Sequence, residues 1–159
     1  LNPPTAGGRL HVVLNPGAGS ADRDALPRQV EARCAAAGRE LRLYVVDETH
    51  DLGHLTATAV DAAARERGVV VAVGGDGTIN AVAAAVLGAG LAFGVLPQGT
   101  FNYFGRAHGI PADTDSALDI LFADKPAPVQ VGVVDDRIFL VNASLGLHPQ
   151  LLEDREAWT

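Results

Sequence analysis

The 159-residue sequence holds one cysteine, Cys34, and one lysine, Lys125. A single cysteine excludes an intramolecular disulfide and fits a reducing cytoplasm. Cys34 lies in the helical pattern EARCAAAG, with Arg33 its one basic neighbour and no histidine near it in sequence. It reads as buried helix filler rather than as an activated nucleophile. The single lysine excludes a Walker A loop, which needs Gly-Lys-Ser/Thr, because Lys125 sits in the KPAP break. No apolar run approaches the length of a bilayer span, so no transmembrane helix is expected. The opening LNPPTAGGRL lacks the apolar core of a signal peptide, and a chain that begins on Leu1 reads as a processed or trimmed piece. Basic residues are few: 12 Lys and Arg against 19 Asp and Glu leave a net charge of −7. That balance opposes a nucleic-acid footprint. It also opposes broad adhesion to anionic lipid, although a local patch can act against the total.

What remains is a globular composition, 48% apolar and 19% charged, long enough for one α/β domain plus a fragment of another. HVVLNPGAGS reads as a strand over 11–14 that ends in a glycine-rich loop. A helix over 22–37 follows, with Asp22 or Asp24 at its start and Gly38 as its stop. RELRLYVVD gives a second strand near 41–46, and DLGHLTATAVDAAARERG a long helix with Gly68 past its end. VVVAV is the third strand and Thr78–Leu87 an Ala-rich helix stopped by GAG. LAFGVLP is the fourth strand, FNYFGRA opens a helical turn, and 113–123 reads as a capped helix. Strands alternating with helices predict a doubly wound, mostly parallel α/β sheet with helices on both faces. VQVGVVDDRIFLVNASLGL then reads as a hairpin turning on Asp-Asp. The expected division is an α/β domain over 1–125, followed over 126–159 by the first hairpin of a second, β-rich domain.

Three of the four parallel strands end in a glycine-bearing polar loop: Asn15–Gly19, Gly74–Thr78 and Gln98–Asn102. In a parallel sheet these ends share one edge, where ligands bind. Each loop leads towards a helix whose first N–H groups attract anions. Glycines let backbone N–H groups approach phosphate oxygens without a Cβ in the way. Thr78 and Thr100 can donate hydroxyl hydrogen bonds there, or cap the helices. Asn80 and Asn102 follow their loops and read as holding loop backbone. Asp76, ionised, is repelled by phosphate unless something intervenes. Either Mg²⁺ bridges them, or Asp76 accepts the proton of an attacking hydroxyl. Strand-to-helix turns favour Gly, Asn and Thr anyway, so it is the coincidence on one edge that points to a polyphosphate site. The dinucleotide fingerprint fails, since Gly17-Ala18-Gly19 is followed by Ser20-Ala21-Asp22 with no third glycine. His50 and His54, four apart, read as a solvated pair sharing a helix face rather than a zinc site.

GGDGT after an apolar strand, preceded by NPxxG and followed by PxGTxNxxxR, resembles the diacylglycerol kinase catalytic domain family. That family includes bacterial lipid kinases and sphingosine kinases and is related to NAD kinases. The match runs from residue 11 to about 145. NASLGLHPQLLEDREA is similar to the start of the second domain in a bacterial branch. The resemblance implies ATP with Mg²⁺ as phosphoryl donor and a lipid hydroxyl, such as that of diacylglycerol, as acceptor. It implies a cytoplasmic protein working peripherally at the inner membrane face. Asn15 and Gly19 match the first nucleotide-contacting motif; Gly74, Gly75, Asp76, Gly77 and Thr78 the phosphate loop; Gly99, Thr100 and Asn102 the third. Thr49 sits where the family often has a nucleotide-side threonine. Asp76 is the catalytic and metal candidate. The chain departs at Ala81, where many members have Glu, and at Tyr103, where many have Asp; both bear on acceptor recognition. Members run to about twice this length, with acceptor contacts and a base usually supplied by the second domain, so this piece is expected to bind nucleotide weakly and turn over poorly. Two rivals stand: an NAD kinase-like phosphotransferase and a non-catalytic nucleotide-binding module. Oligomeric state is open, a homodimer being one option.

Overall fold

The computed structural model describes residues 8–16, 24–123 and 125–141. Four strands, β1 (Leu10–Leu14), β2 (Leu41–Val45), β3 (Val69–Gly74) and β4 (Ala92–Pro97), form one sheet in the order β2-β1-β3-β4. Every pairing is parallel. Between and after them run α1 (Ala25–Ala36), α2 (Leu52–Glu66), α3 (Asp76–Ala89), α4 (Tyr103–Ala107) and α5 (Thr114–Phe122). The connection from β1 to β2 moves one way along the sheet, and the connection from β2 to β3 returns past β1. Right-handed crossovers therefore put α1 on one face and α2 on the other. The packing agrees: α2 lies against α3, and α1 against α5. The sheet is doubly wound, with helices on both faces, as the alternation of elements predicts.

The two central strands are buried along their whole length. That explains why LHVVL and VVVAVG are nearly unbroken apolar runs rather than alternating ones. Leu10, Val12 and Leu14 stand in register with Val69, Val71 and Val73, under Val30 and Cys34 of α1 and Ala117 and Leu118 of α5. The Cys34 thiol is free and buried, and burial pushes its pKa up, which suits filler and not a nucleophile. Strand alternation turns His11, Val13, Val70 and Ala72 to the opposite face, where α2 and α3 pack. His11 is fully buried there, with Nδ1 3.2 Å from the Tyr44 hydroxyl and Nε2 3.4 Å from Glu66 Oε2. Burial pushes its pKa down, against the pull of Glu66. This polar knot lies at the sheet edge opposite the glycine loops, and nothing local in the sequence singles His11 out.

Helix ends follow the expected glycines at Gly38 (φ +63°) and Gly90 (φ +65°). The end of α2 differs. The left-handed residue is Arg67 (φ 53°), not Gly68. Gly68 is needed for another reason: a Cβ there would lie 2.7 Å from the Arg9 carbonyl oxygen and 2.7 Å from His11 Cδ2. Asp51 caps α2 by accepting from the His54 N–H at 2.9 Å, and Asp113 caps α5 by accepting from the Ser116 N–H at 2.9 Å. His50 precedes the Asp51 cap, so it does not share a helix face with His54.

The chain divides into two compact units, Leu1–Pro128 and Val129–Thr159. In the second, β5 (Gly132–Val134) and β6 (Arg137–Phe139) form an antiparallel hairpin. It turns on Asp135 (φ 47°) and Asp136 (φ 63°), both left-handed as a two-residue turn of primed type requires. The Phe139 ring covers Gly132 so closely that no Cβ would fit there. NASLGL, read as part of the hairpin segment, lies outside the described residues.

Candidate functional site

The site begins with what parallel pairing does to the strand ends. Asn15 donates its N–H to the Val73 carbonyl at 2.9 Å, and Gln98 donates to the Gly74 carbonyl at 2.8 Å. The ladder thus continues past the last strand residues and sets Asn15, Gly74 and Gln98 side by side. The chain leaves β1 towards α1 and β3 towards α3, on opposite faces. The two strands therefore flank the crevice where the winding reverses, the usual ligand position in open α/β sheets.

Side chains then tie the loops together. Asn15 Nδ2 donates to Thr78 Oγ1 at 3.0 Å, joining the end of β1 to the first turn of α3. Asn102 Oδ1 accepts from the Gly99 N–H at 2.7 Å and holds the loop after β4 closed. Asn102 is buried and left-handed (φ 51°), a conformation that asparagine tolerates better than most residues. Asp76 opens α3, where its charge complements the helix dipole, and its Oδ1 accepts from the Phe104 N–H at 3.3 Å. The carboxylate therefore ties the first turn of α3 to the first turn of α4.

Neither threonine acts as a cap. Gly75 is the N-cap of α3 and Asn102 that of α4. Thr78 is the third residue of α3, buried, with its hydroxyl engaged by Asn15. Thr100 is exposed in the loop.

The glycines separate into two kinds. A Cβ on Gly74 would sit 2.9 Å from both Cβ and Cγ2 of Thr78, and one on Gly99 would sit 2.9 Å from Gly75 Cα. These two are required by the protein's own packing, Gly99 because two backbones meet there. A Cβ on Gly75 would make ordinary contact with Gly99 Cα at 3.5 Å, and one on Gly77 would meet nothing within 4 Å among the described residues. Gly77 is exposed in the first turn of α3 and has no left-handed φ, so the fold itself does not demand glycine at that position.

Thr49 stands apart, at the far end of the same edge beyond β2. Its hydroxyl donates to Asp47 Oδ1 at 2.7 Å, and that oxygen also accepts from the N–H groups of Thr49 and His50, each at 2.8 Å. These donors, the Thr49 hydroxyl first, hold the Asp47 carboxyl far below the usual carboxylate range. His50 Nδ1 joins the same turn, 3.0 Å from Asp47 Oδ1. Gly19 lies outside the described residues. The structure thus joins Asn15, Gly74, Gly75, Asp76, Thr78, Gly99 and Asn102 through contacts and hydrogen bonds. It leaves Gly77 and Thr100 open beside them.

Among the described residues no group of three or more His, Cys, Asp or Glu could hold a metal ion. A single carboxylate does not make a resident metal site. It does suit Mg²⁺ carried on nucleotide phosphates, which takes one or two protein carboxylates and keeps its other ligands from phosphate and water.

Residues 9–134 match the family model for the diacylglycerol kinase catalytic domain. The chain is 34% identical over 113 residues to a probable lipid kinase YegS-like protein of Cronobacter sakazakii, a match covering 69% of this chain and 37% of that protein. It is 30% identical over 142 residues to a diacylglycerol kinase of Staphylococcus haemolyticus, covering 85% of this chain and 41% of that one. The matched stretch spans less than half the length of either relative. In fold it is similar to the crystal structure of a diacylglycerol kinase from Bacillus anthracis, with a TM-score of 0.70 and 23% identity over 84% of this chain and 46% of that one.

Proposed function

The chain belongs to the diacylglycerol kinase catalytic domain family, and on that premise we propose that its glycine-loop edge binds ATP for transfer of the γ-phosphate to a lipid hydroxyl. Diacylglycerol is the acceptor class that fits. The observation that carries this reading is Gly77, a glycine in the first turn of a helix, where a side chain would meet no described residue within 4 Å. Glycine there costs up to about 1 kcal/mol of helix stability against alanine, and no packing among the described residues offsets it. A phosphate lying against the first N–H groups of α3 supplies the reason.

In this reading the backbone of Gly75–Thr78 cradles the phosphates, with Thr100 as a hydroxyl donor. Asn15, Asn102 and the Thr78 hydroxyl hold the loops in place. Gly19 is a further nucleotide contact by its match to the family motif, and Thr49 faces the nucleoside end. Mg²⁺ carried on ATP would neutralise charge on the phosphates. Asp76 serves as its protein ligand, or takes the proton from the lipid hydroxyl as that oxygen bonds to the γ-phosphorus and ADP leaves. Residues 126–159 begin the second, β-rich domain that completes the acceptor side. The whole protein works in the cytoplasm at the inner membrane face. Consistent with peripheral association, no helix among the described residues is long and apolar enough to cross a membrane.

Calorimetric titration with ATP, with and without Mg²⁺, tests the site on wild-type chain and Asp76→Asn. If Asp76 holds Mg²⁺, the variant loses the Mg²⁺ dependence of ATP affinity. If it is the base, affinity persists and lipid phosphorylation by the longer protein falls by about 100-fold or more. An Asp76→Asn protein with full turnover contradicts both roles. The 159-residue chain alone is expected to bind ATP weakly and turn over poorly, and robust lipid phosphorylation by it contradicts that expectation.

A further inference from the structure

Three aromatic residues follow the Gly99-Thr100 turn, and the sequence treats them alike. The structure does not. Phe104 is buried and packs beside His108, their ring centroids 4.5 Å apart. Gly105 presses so closely on Pro97 that a Cβ would lie 2.7 Å from its Cγ. These two residues anchor α4 to β4. Phe101 and Tyr103 face the other way, 60% and 45% exposed, and stack on each other with centroids 5.3 Å apart and planes 9° from parallel. Core packing therefore accounts for Phe104 and leaves the stacked pair unexplained.

The surroundings of the pair narrow its partner. Between Gln98 and Pro111 the sequence carries Arg106 and His108 and no carboxylate of its own, the Asp76 carboxylate meeting this segment at the Phe104 N–H, in a chain whose net charge is −7. Arg106, three residues after Tyr103 on the same short helix, is exposed. The next residue after the pair, Phe104, donates its N–H to Asp76. The rings thus stand on the segment that is hydrogen-bonded to the proposed catalytic carboxylate.

We propose that Phe101 and Tyr103, with Arg106 beside them, form the surface by which this chain seats its Asp76 edge against a phospholipid bilayer. Aromatic rings prefer the headgroup zone, where an apolar body meets lipid and a polar tip meets water, and Tyr103 has both. The guanidinium meets headgroup phosphate. Charges elsewhere on the chain are screened beyond roughly 10 Å at ordinary ionic strength, so the local cation and rings outweigh the net negative charge. The inference deepens the phosphotransfer reading and rests on it, since a lipid hydroxyl has to be met where it lies.

The test is partition of the 159-residue chain onto phosphatidylcholine vesicles and onto vesicles containing phosphatidylglycerol, with ATP titrated into the same samples. Phe101→Ser with Tyr103→Ser is expected to lower partition onto both kinds by about tenfold and to leave ATP affinity unchanged. Arg106→Gln is expected to lower only the anionic-vesicle partition, by about fivefold. Both rings are exposed, so the double variant should fold, and single Tyr103→Ser serves as a milder second variant. Equal partition by wild type and double variant overturns the proposal, as does a wild type that does not partition at all. ATP affinity lost with partition unchanged overturns it in favour of base stacking by the rings, and loss of a dimer assigns them to a second copy of the chain. In the first two outcomes ATP binding would still stand or fall separately, so the nucleotide reading is judged on its own.

Discussion

Gly99 and Gly77 lie in neighbouring loops and answer to different constraints. At Gly99 the obstacle is backbone, the Cα of Gly75 at 2.9 Å, and backbone cannot rotate aside. Gly99→Ala is therefore expected to force the two loops apart and destabilise the domain by about 1–3 kcal/mol, read as a lower urea midpoint. An unchanged midpoint would contradict the loop contact. At Gly77 no described residue stands in the way. The sequence displays both as glycines in polar loops and cannot separate them, because the distinction depends on atoms more than twenty residues away. The same holds for Thr78, legible as a helix-start hydroxyl but engaged by Asn15, 63 residues earlier. It holds again for Asp76, whose partner Phe104 is 28 residues on.

Among the elements, strands and helices were read closely because their patterns are local. The apolar runs of β1 and β3 reflect burial on both faces, and Asp113 caps α5 through a bond three residues on. Ends set by tertiary contact were less legible. Gly68 looks like the left-handed stop of α2, yet Arg67 takes that conformation, and Gly68 is instead the residue pressed against Arg9 and His11. A non-glycine residue in the left-handed region carries strain of about 1–2 kcal/mol. Arg67→Gly is thus expected to raise the unfolding midpoint modestly, by up to about 1 kcal/mol after the entropy that glycine adds to the unfolded chain. A lower midpoint would show that the Arg67 side chain stabilises this corner more than its backbone strains it.

For the molecule as a whole, alternating strands and helices announce a parallel sheet, and crossover handedness leaves few strand orders to choose from. That the polar loops share one edge was therefore legible from the sequence. Which residues meet across that edge was not, since it depends on register and on the reversal of winding between β1 and β3. His11 shows the same limit at the opposite edge, where Tyr44, Glu66 and Gly68 converge on it from distant parts of the chain. The central claim is that the open glycine-loop edge is kept for a nucleotide's phosphates. It is tested most directly by titrating ATP with Mg²⁺ into wild-type chain and Gly77→Ala, with thermal unfolding of the same samples. The account predicts saturable wild-type binding, and a variant that is at least as stable yet binds about tenfold or more weakly. Equal affinity in the two proteins, or a wild type that binds no ATP, would contradict it.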